Sequence, residues 1–182
     1  MMRFFTLLTL FSLYSYAIIP IETIKTWYEN GEYSKVCSQE VTTIYEHYHD
    51  NEEFVNMYGH SCVETDMISR TVNPINKLIR SPQTRANSVY FATVLYQKKL
   101  LYHALVDNVD ISYVRLPRTK HILSTIFDLY VTQNYEKNGD ELIFKDEEFT
   151  YRVNVVKSND DFYKLIIKTF QEDKLIKTRA FW

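Results

Sequence analysis

The hydrophobic period of this chain changes once, between Tyr135 and Gly139, and that change restricts the fold more than any other feature of the sequence. Before it, apolar residues recur at three- and four-residue intervals, the spacing of an amphipathic helix. After it they alternate: Phe149, Tyr151, Val153 and Val155 fall on one face, Thr150, Arg152 and Asn154 on the other. A helical part followed by a stranded part predicts an α+β fold, with an N-terminal antiparallel helical hairpin stack over residues 18–135 and a C-terminal four-stranded antiparallel meander over residues 136–182. The four runs are ELIFKD, EFTYRVNVVKS, DDFYKLIIKTFQ and KLIKTRAFW, joined by segments short enough for consecutive strands to pair. So small a sheet needs a second layer, and the meander is expected to dock on the helices through one face and leave the other wet.

Six helices are expected in the first part. Residues 20–30 carry Ile21, Ile24, Trp27 and Tyr28 on one face and stop at Asn30-Gly31, where glycine tolerates the left-handed turn. A second helix runs from Glu32 to His47 with Tyr33, Val36, Cys37, Val41 and Ile44 inward. A third spans Glu52 to Ser69, with Gly59 set for close helix approach. Asn73-Pro74 begins a short fourth and Ser81-Pro82 ends it. The fifth covers Gln83 to Val106, and Leu116-Pro117 opens a sixth that reaches Tyr135.

The opening MMRFFTLLTLFSLYSYA has Arg3, then an apolar run from Phe4 to Leu13, then small residues at Ser15 and Ala17. This pattern predicts a signal peptide over residues 1–17, cleaved after Ala17, and hence a periplasmic or secreted protein. The apolar run is shorter than the roughly 20 residues of a membrane helix, so no membrane span is expected once the leader is removed. In an exported chain the two cysteines, Cys37 and Cys62, are expected to form one disulfide. No Cys-x-x-Cys motif points to a redox role.

Trp27, Gly31, Tyr33 and Val36 together resemble the helix-turn-helix core of a tetratricopeptide repeat, and Val55, Tyr58, Gly59 and Cys62 resemble the opening of the next unit. The likeness covers residues 18–82. It departs from the family at Val36, where the repeat has Ala, at Glu40, where it has an aromatic residue, and in the second unit, which has no glycine at its turn. Such stacks bind peptides in a concave groove, often with Lys, Arg and Asn side chains holding a terminal carboxylate. The resemblance implies Lys77, Arg80, Arg85, Asn87 and Lys98 as binding residues here.

Charge supports the same direction. The formal net charge is only −2, but it is segregated. Residues 18–69 hold ten acidic against two basic side chains, and residues 70–120 hold nine basic against two acidic. An arginine-bearing basic segment suits carboxylates and phosphates. In an exported protein the expected partner is another protein or an acidic envelope component, and nucleic acid is not expected. The competing reading is internal compensation, with acidic helices lying beside basic ones.

No catalytic residue, metal site or cofactor is expected. The chain has three glycines and lacks a phosphate-cradling loop, a dinucleotide fingerprint, His-Glu-x-x-His and Gly-x-Ser-x-Gly. His47, His49, Asp50, Glu52 and Glu53 form a polar cluster that reads as a solvated helix end, because residues two apart on a helix diverge. His121, Ser124 and Asp128 share one face of the sixth predicted helix, but a triad assembled on one straight helix lacks an oxyanion hole. The leading expectation is a non-catalytic interaction module. The alternative is a cell-envelope enzyme with a scattered active site between the fifth and sixth helices and the sheet.

Overall fold

A computed structural model describes residues 18–146 and 148–182. The expected signal peptide, residues 1–17, lies outside the described residues. The protein is α+β. Among the described residues, eight α-helices and a short 3-10 helix precede an antiparallel sheet. No helix among them is long and apolar enough to cross a membrane.

Helix α1 (Ile21–Glu29) ends where Gly31 takes φ +71°, and Glu32 N–H donates to the Trp27 carbonyl at 2.8 Å. That turn folds the chain back, as the Asn30-Gly31 pair implied. The expected helix from Glu32 to His47 is instead three pieces: α2 (Tyr33–Val36), α3 (Gln39–Thr43) and α4 (Tyr45–Tyr48). The first break has a local and a long-range cause. Ser38 caps α3 by accepting from Val41 N–H at 3.3 Å, and the Arg70 guanidinium donates to the Cys37 carbonyl. Serine competes for backbone bonds in this way, and the β-branched run Val41, Thr42, Thr43, Ile44 adds little helix propensity to resist it.

Cys37 is bonded to Cys62, with Cα atoms 5.1 Å apart. The bond ties the α2 end to α5 (Glu52–Glu64), the most buried helix of the N-terminal half, which Asn51 caps through Phe54 N–H at 3.1 Å. Gly59 on α5 allows the close approach expected of it: a Cβ there would lie 2.5 Å from the Phe91 ring and 2.9 Å from Pro74 Cβ.

Helix α5 does not run on to Ser69. Thr65 closes it, Asp66 turns left-handed at φ 64°, and a 3-10 helix (Ile68–Thr71) leads into α6 (Val72–Lys77). Helix α7 (Pro82–Asp107) begins in a reciprocal Ser81–Thr84 capping box with proline in its first turn and ends at left-handed Asn108. Helix α8 (Ile122–Val131) begins later than Leu116-Pro117 suggested, because His121 is its cap: Nδ1 accepts from Leu123 N–H at 3.2 Å.

The meander has five strands, not four: β1 (Glu136–Asn138), β2 (Glu141–Asp146), β3 (Phe149–Lys157), β4 (Tyr163–Gln171) and β5 (Lys174–Phe181), paired in sequence order. The missed strand β1 is three exposed residues with no apolar member, so it carries no alternation to read. Left-handed Gly139 makes its turn onto β2. Leu142, Phe144, Tyr151, Val153, Leu165, Ile167 and Phe181 form the buried face of the sheet and join Phe91, Leu101, Leu123, Ile126 and Phe127 of the helices in one core.

Candidate ligand cavity between helices and sheet

Helix α7 buries a stripe at helical spacing, Phe91, Val94, Leu101 and Ala104, and Lys98 falls on that stripe. Its side chain is 3 % exposed. The ammonium Nζ donates to Ser69 Oγ at 2.7 Å. Among the described residues no carboxylate lies within 4.0 Å of it, so it forms no ion pair. Burial pushes the Lys98 ammonium pKa down to about 8, and the Lys99 charge acts in the same direction. A buried cation without a counter-ion is costly to the fold, and here it faces a cavity.

That cavity, of about 230 Å³, lies where the turn after α5 meets the end of β5. Met67, Ile68, Phe181 and Trp182 make its apolar wall, and Ser69, Lys98, Arg70 and Asp66 supply the polar groups. The left-handed Asp66 is what aims the 3-10 helix so that Ser69 meets Lys98. Arg70 is held from the other side, with one guanidinium nitrogen on the Cys37 carbonyl and the other 2.9 Å from Gln39 Oε1. The disulfide and the cavity therefore share a side chain.

Asp66 binds the helical part to the last strand. Its Oδ1 is 3.3 Å from His121 Nε2, and its Oδ2 is 3.3 Å from both Lys177 Nζ and Arg179 Nε of β5. Because His121 Nδ1 accepts from a backbone N–H, the ring proton sits on Nε2 and points at Asp66. Burial raises the Asp66 carboxyl pKa, but the His121 hydrogen bond and the Arg179 and Lys177 charges outweigh it and hold the group below the usual value. The Arg179 contact is an ion pair without an aligned hydrogen, since Nε is buried and makes no hydrogen bond.

Of the five residues singled out from the sequence, Lys77 and Arg80 line one small cavity with Arg85 bonded beside them, and Lys98 lies apart. Lys77 pairs with Asp50 at 3.4 Å, Arg85 donates to the carbonyls of Ile79 and Arg80 at 2.9 and 3.1 Å, and Asn87 donates to Asn56 at 2.7 Å. Arg80 gives its backbone N–H to Glu52, and its exposed side chain adds a favourable charge interaction with the same carboxylate. Lys98 is separate, about 16 Å further along α7 than Asn87 at the usual rise of a helix.

The polar run from His47 to Glu53 also disperses. Glu52 accepts from the backbone of Ile79 and Arg80, both at 2.8 Å, while Glu53 pairs with Lys25 at 2.9 Å. Among the described residues no three His, Cys, Asp or Glu side chains converge as metal ligands would. His121, Ser124 and Asp128 take separate tasks. His121 serves Asp66, buried Ser124 accepts from Thr119 N–H at 2.7 Å and from Gln97 at 3.0 Å, and Asp128 faces Arg118 at 3.8 Å.

Ser69, Asp66 and the pair Lys177 and Arg179 were not singled out from the sequence. Lys98 carried a readable signal, a charge on the apolar stripe of a long helix. Asp66 carried none, since it lies inside a run that reads as uninterrupted helix.

No family model matches the chain, and no significant match is found among curated proteins or solved structures.

Proposed function

We propose that the protein is an exported, periplasmic interaction module that recognises a carboxylate of a protein or acidic envelope component, and that recognition centres on Lys98. The observation that carries the reading is the buried ammonium of Lys98, which has no carboxylate within 4.0 Å among the described residues and faces a cavity whose Asp66 is already engaged by His121, Lys177 and Arg179. An incoming carboxylate supplies the missing counter-ion, and a charge-assisted bond to a buried ammonium is stronger than one to a fully solvated one. The small apolar chamber suits one hydrophobic side group beside that carboxylate. The disulfide fits a location outside the cytosol. In this reading residues 18–82 are tetratricopeptide-like hairpins, and the basic corner at Lys77, Arg80, Arg85 and Asn87 contributes general attraction while Lys98 makes the specific contact.

Calorimetric titration with N-acetyl-phenylalanine and with its amide tests this. The acid binds and the amide does not, Lys98→Met weakens the acid by about ten-fold or more, and Arg80→Glu with Arg85→Glu has a smaller effect. Equal binding of acid and amide, or no loss in Lys98→Met, contradicts the reading.

A further inference from the structure

The contact that makes Lys98 a carboxylate receptor in its charged form makes it a base when neutral. We propose that Ser69 and Lys98 form a nucleophile–base pair that hydrolyses carboxylic esters with a small apolar acyl group, the acyl group occupying the chamber beside Met67, Ile68, Phe181 and Trp182. The proposal rests on the reading of this cavity as a site for carboxyl compounds, and it adds turnover to binding.

The geometry meets the requirements of an activated serine. Nucleophile and base are in hydrogen-bond contact at 2.7 Å. The amine is buried and unpaired with any carboxylate among the described residues, so nothing there holds its proton against transfer. Ser69 stands on a single 3-10 turn at the cavity wall and is itself exposed. Loss of the ammonium proton near pH 8 leaves a substantial fraction of free amine at mildly alkaline pH. When Lys98 is neutral the contact reverses, and the Ser69 hydroxyl donates to Nζ.

In the first half-reaction Ser69 Oγ bonds to the ester carbonyl carbon while its proton passes to Nζ. The carbonyl electrons move to oxygen, and the positive charge of Arg70 on the same cavity favours that oxyanion. As the tetrahedral species collapses, the bond to the alkoxide breaks and the leaving oxygen takes the proton from the Lys98 ammonium. The alcohol departs and an acyl-Ser69 ester remains. In the second half-reaction water adds to that ester and gives a proton to Nζ. The bond to Oγ then breaks, Oγ takes the proton back, and a carboxylic acid leaves. The sum is ester plus water to alcohol plus acid, and the acid product is the species that protonated Lys98 binds.

The test is 4-nitrophenyl acetate at pH 7 to 9 with the mature protein, read by nitrophenolate release and by peptide mass spectrometry of the quenched protein. The expected result is acetyl on Ser69, forming at a rate that rises with pH through about 8. Ser69→Ala abolishes that adduct. Lys98→Arg keeps the charge but not the base, so acylation falls by about 100-fold or more. Acetyl on Lys98 in place of Ser69, an unchanged rate in Lys98→Arg, or no adduct in a protein whose melting curve is intact overturns the dyad. If N-acetyl-phenylalanine binds but no acylation occurs, the hydrolytic proposal falls and the binding reading stands; absence of both removes both.

Discussion

Lys98 Nζ and Ser69 Oγ are 2.7 Å apart, one on the long helix α7 and the other on a 3-10 turn held in place by the left-handed Asp66. The pair brings together segments 29 residues apart and puts a positive charge where the helix otherwise buries hydrocarbon.

That charge has a thermodynamic signature. Lys98 titrates at about 8 in the folded protein against 10.5 ordinarily. Between those values the unfolded chain holds the proton and the folded one does not, so this group makes stability rise as pH climbs from about 8 to 10.5. Below pH 8 the penalty is complete. Lys98→Met is therefore expected to stabilise the free protein by about 2–3 kcal/mol at pH 7, with the gain fading toward pH 10.5. Urea unfolding of both proteins across that range measures it.

Asp66 behaves oppositely. Its folded pKa lies below the ordinary 3.8, so its contribution is fully present above about that pH and is lost as pH falls through the lower folded value. Asp66→Asn leaves Lys177 and Arg179 uncompensated, and since those side chains are partly solvated the cost is about 1–3 kcal/mol at pH 7. The stability gap between the two proteins in urea unfolding should hold steady above about pH 4 and narrow as pH is lowered below the ordinary 3.8.

Gly59→Ala sets a methyl group into the Phe91 ring and Pro74, both buried. A loss of about 1–3 kcal/mol is expected in urea unfolding, with the helical circular dichroism retained.

Replacing Cys37 and Cys62 together by Ala opens a loop with a sequence separation of 25 and is expected to cost about 3 kcal/mol. Because the Cys37 carbonyl holds Arg70 beside the cavity, ligand binding should weaken as well. The double variant's unfolding midpoint and its affinity for N-acetyl-phenylalanine check both consequences.

The features legible in the sequence were those with local causes. Ser81-Pro82 announced the start of α7 through a capping box, Asn30-Gly31 announced a left-handed stop, and strict alternation announced β3. The helix expected over Glu32 to His47 first broke at Ser38, whose cap is a local signal, and at the Cys37 carbonyl, which Arg70 reaches in a contact with no trace in the local pattern. Strand β1 has no apolar face and exists only because β2 pairs with it. The candidate site shows the same division. Lys98 was named only through the tetratricopeptide resemblance, and its partner Ser69 follows a left-handed Asp66 that Lys177 and Arg179 engage from the far end of the chain. Lys77, Arg85 and Asn87 drew attention by residue type and proved to be occupied with neighbouring backbone and side chains.

The most direct test of the account is the Lys98 ammonium pKa, followed by nitrogen-detected NMR of lysine-labelled protein with and without N-acetyl-phenylalanine. The account predicts a value near 8 in the free protein that moves upward when the carboxylate is bound, with no such movement for the amide. An unperturbed lysine value in the free protein, or one that does not respond to the acid, contradicts it.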